Sequence, residues 1–134
     1  MWIFTQHGFF SVVNRSEPAQ SGAAAIDVIE IRSRYREHLS SLKERFAEQI
    51  GASPIIGYDD PEHESDYAHR DYEYRLIVSV DTWLDLAADL AADITYPNFK
   101  SAVHAQAKRS GLEATPYENQ CFEVYWAMQS PSRR

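Results

Sequence analysis

The sequence predicts an α+β fold, a two-layer sandwich of helices on one antiparallel sheet, and three observations carry that expectation. Residues 26–33 and 72–80 alternate apolar with polar side chains, the mark of strands with one buried face. Residues 35–50 and 83–94 instead repeat their apolar side chains at spacings of three and four, the mark of helices with one apolar stripe. The two kinds of segment interleave along a chain of 134 residues, which is the length of a single domain.

Taken in order, residues 2–13 (WIFTQHGFFSVV) are rich in aromatic and β-branched residues and predict one long strand, bent or bulged at Gly8. In an unbroken strand Trp2, Phe4, Phe10 and Val12 share the core-facing parity, and His7 lies on the more polar side with Thr5. Residues 14–24 (NRSEPAQSGAA) predict a long hairpin connection, and residues 26–33 (IDVIEIRS) the next strand. Tyr35, Leu39, Leu42, Phe46 and Ile50 then define a helix for which Gly51 is the terminator.

Residues 54–58 (PIIGY) predict a short edge strand, and residues 59–71 (DDPEHESDYAHRD) a hydrophilic loop. The strand at 72–80 follows, then a helix capped by Ser79 or Asp81, with Trp83, Leu86, Ala87, Leu90, Ala91 and Ile94 on its apolar stripe. Pro97 opens the next helix, over 98–108, which Gly111 ends. The last helix has a capping box, Thr115-Pro116-Tyr117-Glu118, ahead of a stripe of Tyr117, Cys121, Val124, Tyr125 and Met128. Residues 129–134 read as a flexible tail. The order predicts a four-stranded, mainly antiparallel sheet in a permuted ferredoxin-like arrangement, with the N-terminal strand completing the sheet and additional C-terminal helices covering an edge or part of a face.

Composition narrows the function. Hydrophobic residues make up 44% of the chain and charged ones 25%, a balance suited to a water-soluble domain, and no apolar run approaches the ~20 residues that cross a bilayer. The opening residues lack the positive start and cleavage site of a signal peptide. A single cysteine, Cys121, excludes an intramolecular disulfide, so the cytoplasm is the expected compartment. The net charge of −7 repels polyanions and disfavours nucleic acid as a partner. The adjacent aromatics and Ser11 of GFFSVV also break the alternating register of an RNA-stacking strand.

Several groups of residues could carry chemistry. The histidines and acids of the loop at 59–71, among them His63 and His69, match no metal-ligand spacing, so no metal is expected and no cofactor is implied. Asp81, Asp85, Asp89 and Asp93 recur every fourth residue and predict a solvated helix face. Cys121 lies on an apolar stripe and reads as a buried small hydrophobe, while Ser101 and His104, three apart on one helix, lack an orienting carboxylate. The remaining constellation is Thr5 and His7 on the first strand, Arg32 and Arg34 at the end of the second, and Arg75 on the fourth. Guanidinium forks bind carboxylates and phosphates, and His7 beside them would complete a small anion site with an acid or base. The competing expectation pairs these arginines with Glu30, Glu73 and nearby acids across the strands.

WIFTQHGFFSVV, IRSRYREHLSSLKERF, YEYRLIVS with Trp83, and YPNFKSAV together resemble a family of small uncharacterised bacterial proteins with an N-terminal GFFS strand and a YxNFK element. The resemblance spans nearly the whole chain and implies no activity. It marks Thr5, Gly8, Phe9, Phe10, Arg32, Arg34, Tyr74, Arg75, Asn98, Phe99 and Lys100 as positions to test. Three functions are expected from these readings. One is a binding or accessory protein acting through protein contacts or a small anion, with a homodimer as its assembly. The alternative is a small enzyme for an anionic or phosphate-bearing substrate, with His7 as acid or base and arginines as charge stabilisers. A third is an acidic surface that displaces nucleic acid from a basic partner.

Overall fold

The computed structural model describes residues 1–15, 27–64, 70–109 and 116–129. Among them, five strands form one antiparallel sheet, in the order β1-β2-β3-β5-β4, with five helices, so the fold is α+β with one strand more than the sequence predicted.

The extra strand comes from the opening segment, which is a hairpin: β1 (Trp2–Thr5) turns through Gln6 and His7 into β2 (Gly8–Asn14), with Phe4 opposite Phe9 and Thr5 opposite Gly8. Thr5 supplies the reason. Its hydroxyl accepts the His7 and Gly8 backbone N–H groups at 3.1 and 3.2 Å and donates to the Gly8 carbonyl, closing a turn where periodicity suggested a bend. Gly8 has φ +150°, and a Cβ there would overlap the ring of His38, so the glycine serves both the backbone conformation and the close approach of a helix.

Reversing the chain also reverses the expected parity in β1 while that in β2 holds. Phe10 and Val12 are buried, with Ile3 packed beside them, but Trp2 and Phe4 lie on the other face, exposed, with Phe4 stacked on Phe9 at 4.6 Å. β2 pairs with β3 (Val28–Ser33), placing Val12 opposite Ile31, as expected of the N-terminal segment. β3 pairs with β5 (Tyr74–Ser79), and β4 (Ile55–Gly57) forms the far edge, as the sequence predicted.

The helix expected over 35–50 is divided. α1 (Arg36–Arg45) stops at Phe46, whose φ and ψ of −119° and 42° turn its ring into the core, and α2 (Ala47–Ile50) ends at Gly51 with φ +61°. α3 (Val80–Ala92) is capped by Ser79, whose hydroxyl accepts the Thr82 N–H at 3.0 Å. These helices bury Leu39, Leu42, Phe46, Ile50, Trp83 and Leu86 against Phe10, Val12, Ile29, Ile31, Leu76 and Val78. Ile94, expected on the α3 stripe, is exposed because the helix ends before it.

α4 (Phe99–Arg109) and α5 (Pro116–Gln129) make a second, smaller core of Val103, Tyr117 and Cys121 with Phe9 and Phe99. The outer half of the α5 stripe does not enter it: Val124, Tyr125 and Met128 are exposed. Gln129 ends this helix rather than beginning a tail, and the expected residues 130–134 of that tail, Thr115, Gly111, Ile26 and most of the connection at 14–24 fall outside the described residues.

Candidate functional site

The hairpin turn carries His7 away from the sheet surface and into a network with three helices. Its Nδ1 lies 3.2 Å from the Ser41 hydroxyl on α1, and its Nε2 lies 2.9 Å from Oδ2 of Asp93, the residue that closes α3. Asp93 also accepts Gln6 Nε2 at 3.0 Å and, through Oδ1, Arg45 at 2.8 and 3.2 Å. On the other side Gln106 of α4 donates its Nε2 to Ser41 at 3.1 Å, and Arg109 donates to the Gln106 carbonyl oxygen at 2.6 and 3.3 Å.

A single line of hydrogen bonds thus runs Arg109, Gln106, Ser41, His7, Asp93, Arg45. Its donors are ordered along the line: with the imidazole neutral, Gln106 donates to Ser41, Ser41 to Nδ1, and Nε2–H to Asp93. Burial raises the Asp93 pKa, but the hydrogen bonds from His7, Arg45 and Gln6 outweigh it and hold the carboxyl below its ordinary value. The carboxylate is therefore charged and fixed.

Above this line opens a cleft of about 600 Å³ between the turn, α1 and α4, lined by His7, Glu37, Ser41, Glu44, Arg45, Gln106 and Arg109. The α1 residues are spaced so that one helix face, Glu37-Ser41-Arg45 with Glu44 beside it, forms a wall while Leu39 and Leu42 hold the opposite face in the core. His7 is only 5% exposed in its side chain, so the cleft reaches a group that the fold otherwise encloses.

The chain matches no family model, no curated protein and no solved structure.

The structure divides the sequence-derived constellation between two places. Arg32 and Arg75 are cross-strand partners on the face of the sheet opposite Ile31 and Leu76. Arg32 donates to the Ser11 hydroxyl at 2.8 Å and stacks over Tyr72 at 4.9 Å, with Arg34 over the same ring at 5.8 Å. Arg75 pairs with the buried Glu30 at 2.6 Å and donates to the Tyr72 carbonyl, and Arg15 approaches Glu30 from the other side at 3.4 Å. His7 stands at the helical end of the hairpin and is not brought to these arginines; Thr5 closes the turn.

The other positions are accounted for by local contacts. Tyr74 packs over Gly57 and against Tyr58, and burial, with the Tyr58 hydrogen bond and nearby acids, pushes its phenol up to about 12. Asn98 accepts the Ser101 N–H at 3.0 Å and starts α4. Lys100 lies over the rings of Phe122 and Tyr125 at 4.8 and 4.4 Å, clasping α4 to α5. Cys121 is buried, which raises its thiol pKa, and His104 bonds Glu118 at 2.7 Å. Among the described residues no group of three or more His, Cys, Asp or Glu is placed to hold a metal ion, and His69 of the loop at 59–71 lies outside them. No described helix is long and apolar enough to cross a membrane.

Sequence reasoning missed Ser41, Arg45, Asp93, Gln106 and Arg109. The period of four predicts a solvated face for Asp93 and Asp89, but Asp89 accepts Gln49 of α2 and Asp93 accepts Gln6 of the turn. The polar spacing of Glu37, Ser41 and Arg45 marks a helix face, but nothing local tells such a face from a solvated one.

Proposed function

We propose that the chain binds a small molecule bearing one carboxylate or phosphate group in the cleft over His7 and Ser41. One observation carries this reading: an enclosed histidine is left reachable at the floor of a cleft whose wall holds two arginines, each already oriented by a fixed partner. Arg45 and Arg109 use Nε and Nη2 on Asp93 and Gln106, and their other N–H groups supply the fork that an oxyanion needs. Glu37 and Glu44 at the same lip set the size of the charge accepted, because they repel a polyanion more than a singly charged group.

Thermal unfolding with sodium phosphate or sodium acetate, against sodium chloride at matched ionic strength, tests the reading. One of the oxyanions should raise the melting temperature of the native protein, and the rise should vanish in both Arg109→Gln and Arg45→Gln. An equal rise in chloride, or one that survives both substitutions, would overturn it.

A protein-contact function, with a second copy of the chain as partner, draws on a different observation: α5 leaves Phe122, Tyr125, Trp126 and Met128 exposed. Light scattering after size exclusion measures that assembly. The permuted ferredoxin-like arrangement is supported by the order β2-β3-β5-β4, and a cytoplasmic setting by the lone cysteine.

A further inference from the structure

The cleft is lined by a serine hydroxyl as well as by the two arginines. Ser41 Oγ, His7 and Asp93 stand in one hydrogen-bonded row, at 3.2 Å from Oγ to Nδ1 and 2.9 Å from Nε2 to Oδ2. A hydroxyl beside an imidazole that a carboxylate orients is the combination that makes serine reactive. Here Asp93 takes Nε2, so Nδ1 is the nitrogen that accepts from serine. The chemistry is the same whichever nitrogen does so, because the carboxylate fixes the tautomer through the opposite one.

The opening of the cleft separates this row from an internal tie. A network that merely pins a hairpin to three helices needs no access, whereas Ser41 and His7 both line the cleft. Gln106 Nε2, 3.1 Å from Oγ, is also within reach of an oxygen that develops negative charge on a carbon newly bonded to Oγ. Arg45 and Arg109 stand on the same walls to receive a second, charged end of the substrate.

The geometry points to Ser41 as the nucleophile of a hydrolase for small carboxylic esters whose acyl part carries a further carboxylate, an assignment that rests on the oxyanion-binding reading for its substrate class. Ser41 gives its proton to His7 Nδ1 as Oγ bonds the ester carbon. The carbon–oxygen bond to the leaving group then breaks, and that oxygen takes the proton from His7 and departs as an alcohol. Water next passes a proton to Nδ1 while its oxygen bonds the acyl carbon. The bond to Oγ breaks, Oγ recovers the proton, and the products are a carboxylic acid and an alcohol.

The test treats the full chain with a fluorophosphonate probe and maps the adduct by mass spectrometry. One adduct on Ser41 is expected, absent in Ser41→Ala and formed about 10²-fold or more slowly in His7→Gln, the loss typical of removing a general base. Asp93→Asn, which keeps both reacting groups, should slow it as well and serves should His7→Gln fail to fold. An unlabelled Ser41 in the native protein, or labelling at the native rate in both folded variants, would overturn the assignment. The p-nitrophenyl monoester of succinate should be cleaved faster than p-nitrophenyl acetate, with the preference lost in Arg109→Gln. Labelling of Ser41 without that preference would uphold the nucleophile and refute the substrate class. Arginine-dependent stabilisation by acetate or phosphate without labelling would refute the nucleophile and leave the binding reading standing.

Discussion

His38 gives the fold a dependence on pH whose size follows from its position. The ring is 8% exposed, wedged between Phe10, Tyr35 and Tyr117, with Nδ1 accepting the Phe9 N–H at 3.4 Å and meeting the Ser33 hydroxyl at 3.2 Å. Burial lowers its pKa to about 4 from an ordinary 6.5, against weaker opposing effects of the Phe9 backbone and Glu37. Because the folded value lies below the unfolded one, the unfolded chain takes up the proton first as pH falls. The stability tied to the neutral ring is complete above about pH 6.5 and is lost progressively down to about pH 4.

At about 1.4 kcal/mol per pH unit the whole loss is roughly 3 kcal/mol, and roughly 2 kcal/mol of it has gone by about pH 5. Urea unfolding of the native protein and of His38→Gln, at about pH 7 and about pH 5, measures this directly, because the variant cancels every other titrating group. The native protein should lose roughly 2 kcal/mol more than the variant over that interval. Parallel losses would refute the argument, since they would mean that the ring can be protonated without leaving its site.

Gly8→Ala should destabilise the protein by about 3 kcal/mol, combining the strain of a positive φ with displacement of the His38 ring; a shift in urea midpoint worth less than about 1 kcal/mol would contradict the geometry of the turn. Asp93→Asn separates a second pH effect. The folded pKa of Asp93 is depressed from 3.8, so its stabilising contribution is present above the unfolded value and disappears as pH falls through the folded one. The stability gap between native protein and variant should therefore stay constant from neutrality to about pH 5 and close below about pH 4, as read from thermal unfolding in acid; a gap unchanged in strong acid would remove the carboxylate from the network.

The apolar periods were enough to place β3, β5, α1 and α3, because burial on one face of a strand or helix leaves its spacing in the local sequence. A cap at Ser79 or Asp81, of which the structure uses Ser79, and Gly51 as the terminator were legible for the same reason, since each acts on neighbours a few residues away. The turn at Gln6 and His7 was not legible, because the device that makes it is one hydroxyl, on Thr5, in a stretch whose composition suits a single long strand equally well. The candidate site lay further out of reach: Ser41 and Asp93 meet His7 across separations of 34 and 86 residues, Gln106 meets Ser41 across 65, and no local period records such a meeting. For β3, β5, α1 and α3, sequence alone thus determined whether the segment is helix or strand and which face is apolar, through interactions within a few residues. The tertiary structure decided that the hairpin folds back, that His7 joins the helices rather than Arg32 and Arg75, and that a polar face of α1 becomes the wall of a cleft, because those outcomes depend on which distant surfaces exclude water together.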